Sequence, residues 1–229
     1  AATDAASNLA WVEYIQGTSG WALKYFKLGW EVWGCGGSMT ESDYESIFST
    51  NHSNLTGKDL FMVAAGGFSY GTNPDWDWYR TLLDNISSKI NAVGLDHRLS
   101  YGTYPSVGFT PDHYYKIVNA ANEGEMHPTI SALIDVLNQK DPANHIKIAV
   151  EGWGDELAKI DTGFMQQNTV MDAVSAAEHL HLFIEHAHRI TLASIAQTVN
   201  VMQALFLTNA DEVMVKTPTF YVFKMFIPH

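Results

Sequence analysis

Short apolar runs alternate with longer stretches of helical character along this chain, and that alternation narrows the possible folds more than any other feature. The runs fall at 23–29, 60–65, 92–99, 146–150 and 190–196, lengths that suit strands rather than helices. The fourth is nearly continuous in apolar residues, as in a strand buried on both faces. Helices are expected between the runs. One spans 40–49, where Thr40 offers an N-cap hydroxyl and Asp43 a variant of the capping box. Another spans 73–90, with Pro74 in its first turn. A third region opens at Thr110-Pro111-Asp112 and reaches 138 with a break at 124–128, and a long helix covers 168–187. The segment 199–207 also looks helical, 152–163 reads as a loop, and Thr217-Pro218-Thr219 opens a last helix through 226. Strands alternating with helices indicate an α/β fold with a parallel sheet. Five strands cannot close an eight-stranded barrel, so an open sheet or part of a barrel is expected. Gly66-Gly67 lacks the spacing of a dinucleotide or phosphate loop.

Composition excludes several classes of function. A length of 229 residues suits one or two domains, and no internal repeat or low-complexity segment is visible. The net charge is −12, and no cluster of Lys and Arg is present to neutralise phosphates, which argues against a nucleic-acid partner. A neutral polysaccharide is not repelled by such a surface. No run approaches about 18 consecutive apolar residues, so no membrane span or membrane partner is expected. Residues 1–10 lack the basic and apolar parts of a signal peptide. Three Asn-x-Ser/Thr triplets, at Asn51, Asn54 and Asn85, occur about as often as chance allows. A soluble protein is expected, with the choice between extracellular and cytoplasmic left open. The single cysteine, Cys35, permits no internal disulfide and has no neighbouring base to activate it.

Two carboxylates stand where α/β enzymes place catalytic groups. Glu31 follows the first strand in Gly29-Trp30-Glu31-Val32-Trp33-Gly34, and Glu151 ends the fourth in Val150-Glu151-Gly152-Trp153-Gly154. Indole rings beside a carboxyl group desolvate it and raise its pKa, as a general acid requires. Paired carboxylates at strand ends match the design of glycosidases, although a carboxylate that merely caps a loop is the plainer alternative for each. Trp30, Trp33 and Trp153 are candidate platforms for a sugar ring; with seven Trp and ten Tyr in the chain, most aromatics are expected to fill the core. His179, His181, His186 and His188 crowd one helix, but the spacing that metal pairs favour is missing and no HExxH is formed. No metal site and no cofactor are expected.

The segment 24–40, with Gly29-Trp30-Glu31-Val32-Trp33-Gly34-Cys35-Gly36-Gly37-Ser38-Met39-Thr40, resembles the acid/base strand of family 51 glycoside hydrolases. Trp11-Val12-Glu13-Tyr14 resembles the helix before it. Further likenesses follow in order: Gly163-Phe164-Met165-Gln166-Gln167-Asn168-Thr169, Ile195-Ala196-Gln197-Thr198-Val199-Asn200-Val201, and Thr217-Pro218-Thr219 with Val222-Phe223-Lys224-Met225. The resemblance implies a (β/α)8 TIM barrel, present here as about five βα units from its fourth strand onward, with 1–229 as the C-terminal portion of a glycosidase catalytic barrel and no second domain. It implies a retaining α-L-arabinofuranosidase acting on arabinan or arabinoxylan. Glu31 then matches the acid/base, Gln197 a residue that contacts the bound sugar, and His97 and Tyr101 loosely match further substrate-binding positions. A homo-oligomer is also implied.

Two departures bear on activity. Trp30 stands where the family has Asn, and Gly152 where it has the nucleophile, with Glu151 replacing the neighbouring Asp. Adjacent residues of a strand face opposite ways, so Glu151 is expected to point away from the substrate unless Gly152 lets it swing inward. Weak or no activity on aryl arabinofuranosides is the resulting expectation. The alternative function is a catalytically impaired or re-purposed barrel fragment that binds a sugar or another ligand.

Overall fold

The computed structural model describes residues 4–18, 21–34, 36–69, 74–103, 110–119, 121, 125–158, 165–166, 168–209, 211 and 213–227. Their elements run α1 (Ala5–Thr18), β1 (Tyr25–Leu28), α2 (Glu41–Asn54), β2 (Phe61–Ala64), α3 (Trp76–Ile86), a 3-10 turn (Ser87–Lys89), β3 (Ala92–Asp96), β4 (Leu99–Thr103), α4 (Pro111–Val118), α5 (Met126–Lys140), β5 (Lys147–Trp153), β6 (Asp155–Ala158), α6 (Val170–Glu185), β7 (Ile190–Ile195), β8 (Phe206–Thr208), β9 (Met214–Lys216) and α7 (Pro218–Phe226). The strands of the main sheet lie in the order β1-β2-β3-β5-β7, and β4-β6 and β8-β9 form two small sheets. The chain divides into two compact units, Ala1–Asp96 with Ala132–Ala149, and His97–Ser131 with Val150–His229.

In the first unit β1 pairs parallel with β2 from Tyr25↔Phe61 to Leu28↔Ala64, and β2 pairs parallel with β3. The Lys147 N–H donates to the Asn91 carbonyl at 2.8 Å, setting the start of β5 beside the start of β3. Trp78, Tyr79, Leu82, Leu83 and Ile86 recur at helical spacing along α3 and are all buried, the stripe an amphipathic helix lays on a sheet. Polar tips on these helices hold the C-terminal ends of the strands. The Tyr44 hydroxyl donates to the Leu28 carbonyl at 2.7 Å and accepts from the Ala65 N–H at 2.6 Å, joining β1 to β2. The Trp78 indole donates to the Ala65 carbonyl at 3.1 Å and the Tyr79 hydroxyl to the Gly94 carbonyl at 3.0 Å. The ends that carry the candidate site are thereby tied down by buried side chains.

In the second unit the Ala196 N–H donates to the Trp153 carbonyl at 3.0 Å, so β5 and β7 finish side by side. Helix α6 opens with a capping box between Thr169 and Asp172, and α7 with the Thr217 cap and Pro218 in its first turn. The parallel α/β reading of the sequence holds, and each of the five runs supplies a strand of the main sheet. Three local readings are corrected. The run at 92–99 is two strands, β3 and β4, parted at His97 and Arg98. The supposed loop at 152–163 contains β6, which pairs parallel with β4 from Leu99↔Asp155. The segment 199–207 is no helix: Asn200 and Met202 have positive φ, 63° and 55°, and the Asn200 side chain bonds the Thr208 backbone N–H at 2.6 Å. Left-handed residues break a helix, and Asn tolerates that conformation better than most.

Candidate functional site

Glu31 sits in a tight loop just past β1. Gly29 turns the chain there at φ 89°, where an added Cβ would lie 2.7 Å from Val32 Cγ1 and 3.3 Å from Tyr44 Cε2. Glu31 itself adopts φ 41°, a left-handed conformation that costs a non-glycine residue on the order of 1–2 kcal/mol. Its carbonyl accepts from the Gly34 and Gly36 N–H groups at 2.8 and 3.0 Å, so the loop folds back around the residue that carries the carboxylate. Trp30 is 42% exposed, with Lys27 Nζ 4.3 Å from its ring centroid. Trp33 meets Phe68 edge-on at 5.0 Å. A Cβ on Gly36 would lie 1.8 Å from the Trp30 carbonyl oxygen. Gly36→Ala is therefore expected to cost about 1–3 kcal/mol of folding free energy, as overpacking does, and to loosen the Glu31 loop; an unchanged urea midpoint would show the loop yields without cost.

In the second unit Glu151 is 8% exposed and precedes Gly152 at φ 65°. Alternation of faces holds only between extended residues, so it does not decide which way Glu151 points. Trp153 is fully buried. Its ring stacks on His179 at 5.4 Å and on Phe223 at 5.9 Å and meets the edge of Phe183 at 5.2 Å. It has no face open to a sugar and serves as a core anchor. His97 is also fully buried, its Nε2 lying 3.7 Å from a Glu125 carboxylate oxygen. Gln197 is exposed and follows a cis peptide bond from Ala196. Tyr101 lies in β4, and its side chain is outside the described residues, as is Cys35. Glu31, His97 and Gln197 stand just past the C-terminal ends of β1, β3 and β7, and Glu151 lies two residues before the end of β5. Among the described residues no group of three or more His, Cys, Asp or Glu side chains is placed to hold a metal ion.

A buried polar network behind the end of β5 was not foreseen. The Asp155 N–H donates to Gln203 Oε1 at 2.8 Å, and Gln203 Nε2 donates to the Asp172 carbonyl at 2.5 Å and to Thr219 Oγ1 at 3.3 Å. The Ser175 hydroxyl donates to the Asp155 carboxyl group at 3.0 Å. Burial raises the Asp155 pKa well above its ordinary value and Asp172 adds to the rise; burial also raises Asp172. His179 Nδ1 contacts the Ser175 carbonyl at 2.7 Å, which makes Nδ1 the protonated nitrogen. Burial, helped by the nearby His97, lowers the His179 pKa from 6.5 to about 4 against that hydrogen bond. Polar groups dispersed from 155 to 219 carry no shared spacing that a sequence reading could detect.

The folded-state pKa of His179 is depressed, so its contribution is present in full above about pH 6.5 and is lost as pH falls towards 4. The amount is on the order of 3 kcal/mol. Asp155 and Asp172 act oppositely, because raised carboxyl groups favour folding below their ordinary pKa and cease to as pH rises. Comparing urea midpoints of the protein and His179→Leu cancels the carboxyl groups. The protein's stability relative to the variant should fall between pH 7 and pH 4; a constant difference would contradict it.

Carboxylates near the ends of parallel strands, with indoles adjacent in sequence, are an arrangement that paired-carboxylate chemistry can use. The comparisons narrow that chemistry. Residues 147–229 match the family model described as the alpha-L-arabinofuranosidase C-terminal domain. An intracellular exo-alpha-L-arabinofuranosidase of Bacteroides ovatus is 34% identical over 220 residues, covering 91% of this chain and 41% of the relative. A probable alpha-L-arabinofuranosidase C of Aspergillus clavatus is 26% identical over 239 residues, covering 91% and 46%. The crystal structure of the GH51 arabinofuranosidase from Xanthomonas axonopodis pv. citri superposes with a TM-score of 0.83 at 25% identity, over 98% of this chain and 50% of that one. The chain thus resembles the family 51 arabinofuranosidases over nearly its whole length, and it spans less than half the length of the curated relatives it matches. No described helix is long and apolar enough to cross a membrane.

Proposed function

We propose that this chain is the C-terminal portion of the (β/α)8 barrel of a retaining α-L-arabinofuranosidase that removes terminal arabinofuranosyl groups from arabinan or arabinoxylan. The observation that carries the proposal is Glu31, a half-buried carboxylate on a left-handed residue, within a segment that resembles the family's acid/base strand. Relatives named as arabinofuranosidases support the same reading. Glu151 takes the part of nucleophile, being the carboxylate near the end of β5, and Trp30, Trp33, Gln197 and Tyr101 are the candidates for contact with the sugar; His97 is enclosed, like Trp153. Trp153 has no part in that contact.

The chemistry divides into two balanced steps. The Glu151 carboxylate attacks the anomeric carbon while Glu31 gives its proton to the glycosidic oxygen; that C–O bond breaks, the alcohol leaves and a glycosyl ester forms. The Glu31 carboxylate then takes a proton from water as the water oxygen attacks the same carbon. The ester breaks, arabinose leaves with its original anomeric configuration, and both carboxyl groups return to their starting states. Such a mechanism requires the two groups to stand about 5–5.5 Å apart.

Hydrolysis of 4-nitrophenyl α-L-arabinofuranoside, followed by proton NMR from the first minutes, tests this. The α-anomer of arabinose should be released first. The β-anomer first would make the reaction inverting, and binding of arabinose without turnover would replace the hydrolase reading with that of a sugar-binding barrel.

A further inference from the structure

Gln203 is fully buried and spends its amide on the backbone that follows Glu151. Its Oε1 accepts from the Asp155 N–H, and its Nε2 donates to the first turn of α6 at the Asp172 carbonyl and to Thr219 in the first turn of α7. The Asp155 carbonyl is held as well, by Gln166 Nε2 at 3.0 Å. Between Glu151 and this clamp lie Gly152 at φ 65°, the buried Trp153 and Gly154 at φ 129°. Two glycines make the segment pliable, so its path depends on what grips it. The grips are the Trp153 ring, wedged between His179 and Phe223, and the Gln203 amide at Asp155. A third bond, from the Ala196 N–H to the Trp153 carbonyl at 3.0 Å, carries the same backbone to the peptide preceding Gln197.

We propose that Gln203 is a positioning residue, which through Asp155 and Trp153 sets the place of Glu151 and, by way of Ala196, that of Gln197. The proposal rests on the reading of Glu151 and Gln197 as site residues, but its first readout does not need turnover. The hydrogen bonds of Gln203 reach main chain at Asp155 and Asp172 and the Thr219 hydroxyl, so it acts by holding the main chain: a buried amide making three hydrogen bonds is costly to remove, and the loss is concentrated at one end of β5. Thr219 offers a control, since it meets Gln203 on the α7 side and has no contact with Asp155 among the hydrogen bonds described here.

The test uses protein carrying carbon-13 at the glutamate carboxyl groups, with the Glu151 signal assigned by its absence in Glu151→Gln. In Gln203→Met the Glu151 titration midpoint should move by roughly half a pH unit or more, and kcat on aryl arabinofuranosides should fall about tenfold with KM within about twofold. Thr219→Val should lower the urea midpoint and leave Glu151 where it was. If Gln203→Met does not fold, Gln203→Asn, an amide too short to reach the Asp155 N–H, should give the same shift. A folded Gln203 variant with an unmoved Glu151 midpoint, or an equal shift in Thr219→Val, overturns the proposal. If the unaltered chain lacks hydrolysis, that overturns the hydrolase reading alone, because the titration still decides what Gln203 does.

Discussion

Replacing Glu31 with Ala is expected to slow hydrolysis of natural arabinosides by on the order of 10²–10⁴-fold, the range that a positioned general acid contributes. The leaving group in arabinan or arabinoxylan is a sugar alkoxide, a strong base that departs only as it gains a proton. An activated aryl leaving group is stable as its anion and needs little protonation. Glu31→Ala should therefore lose far less rate in forming the glycosyl ester from 4-nitrophenyl arabinofuranoside than from an arabino-oligosaccharide. The measurement is kcat/KM on both substrates, since that ratio reports the steps up to the first irreversible one. Equal losses would remove Glu31 from the role of proton donor and leave the carboxylate with a binding function. The strained backbone gives this experiment a control: Glu31→Gln keeps the shape and the left-handed residue while removing the proton, and should resemble Glu31→Ala in its leaving-group dependence.

The fold was legible wherever local chemistry and burial agree. Thr40, and Thr217 followed by Pro218, mark helix starts in the sequence and cap α2 and α7 in the structure. Each of the five apolar runs supplied a strand of the main sheet, most plainly β2, β3 and β5, where a buried strand has no polar face to disguise it. What escaped depends on partners distant in sequence. The apolar residues of 199–207 suit a helix by composition, yet Asn200 finds its hydrogen bonds at Thr208 and Gln203 finds its own at Asp155 and Asp172, so tertiary bonds override local preference. Strand β6 was missed because its partners are distant in sequence: β4, more than fifty residues earlier, and Gln203, which binds the Asp155 N–H. The positions of Glu31 just past β1 and of Glu151 in the last part of β5 were legible from the apolar runs that lead to them. Trp153 read as a sugar platform from its place beside Glu151, and nothing local reveals that His179, Phe183 and Phe223 enclose it.

The second large effect concerns Glu151. As nucleophile it forms the ester whose hydrolysis completes the reaction, and no neighbouring group takes over when it is removed. Glu151→Ala should depress kcat by on the order of 10⁴-fold or more on every arabinoside, with no distinction between good and poor leaving groups, because attack on the anomeric carbon is lost for all of them. That pattern is the opposite of the one expected at Glu31. The small side chain also leaves room for a small anion. Azide added to Glu151→Ala should restore part of the rate on 4-nitrophenyl arabinofuranoside and give the β-configured arabinosyl azide, since a single displacement inverts the carbon. Gly152→Glu provides the contrast. It would place a carboxylate at the position that aligns with the family's nucleophile, but on a residue whose φ is 65°, where a side chain costs on the order of 1–2 kcal/mol. Its folding free energy should drop by about that amount. If Glu151→Ala retains its rate while Gly152→Glu gains, the nucleophile belongs at 152 and Glu151 serves only the packing at the end of β5. If Glu151→Ala is dead and azide revives it with inversion, Glu151 is the nucleophile, and the left-handed Gly152 is what allows a carboxylate one residue earlier in the chain to reach the sugar.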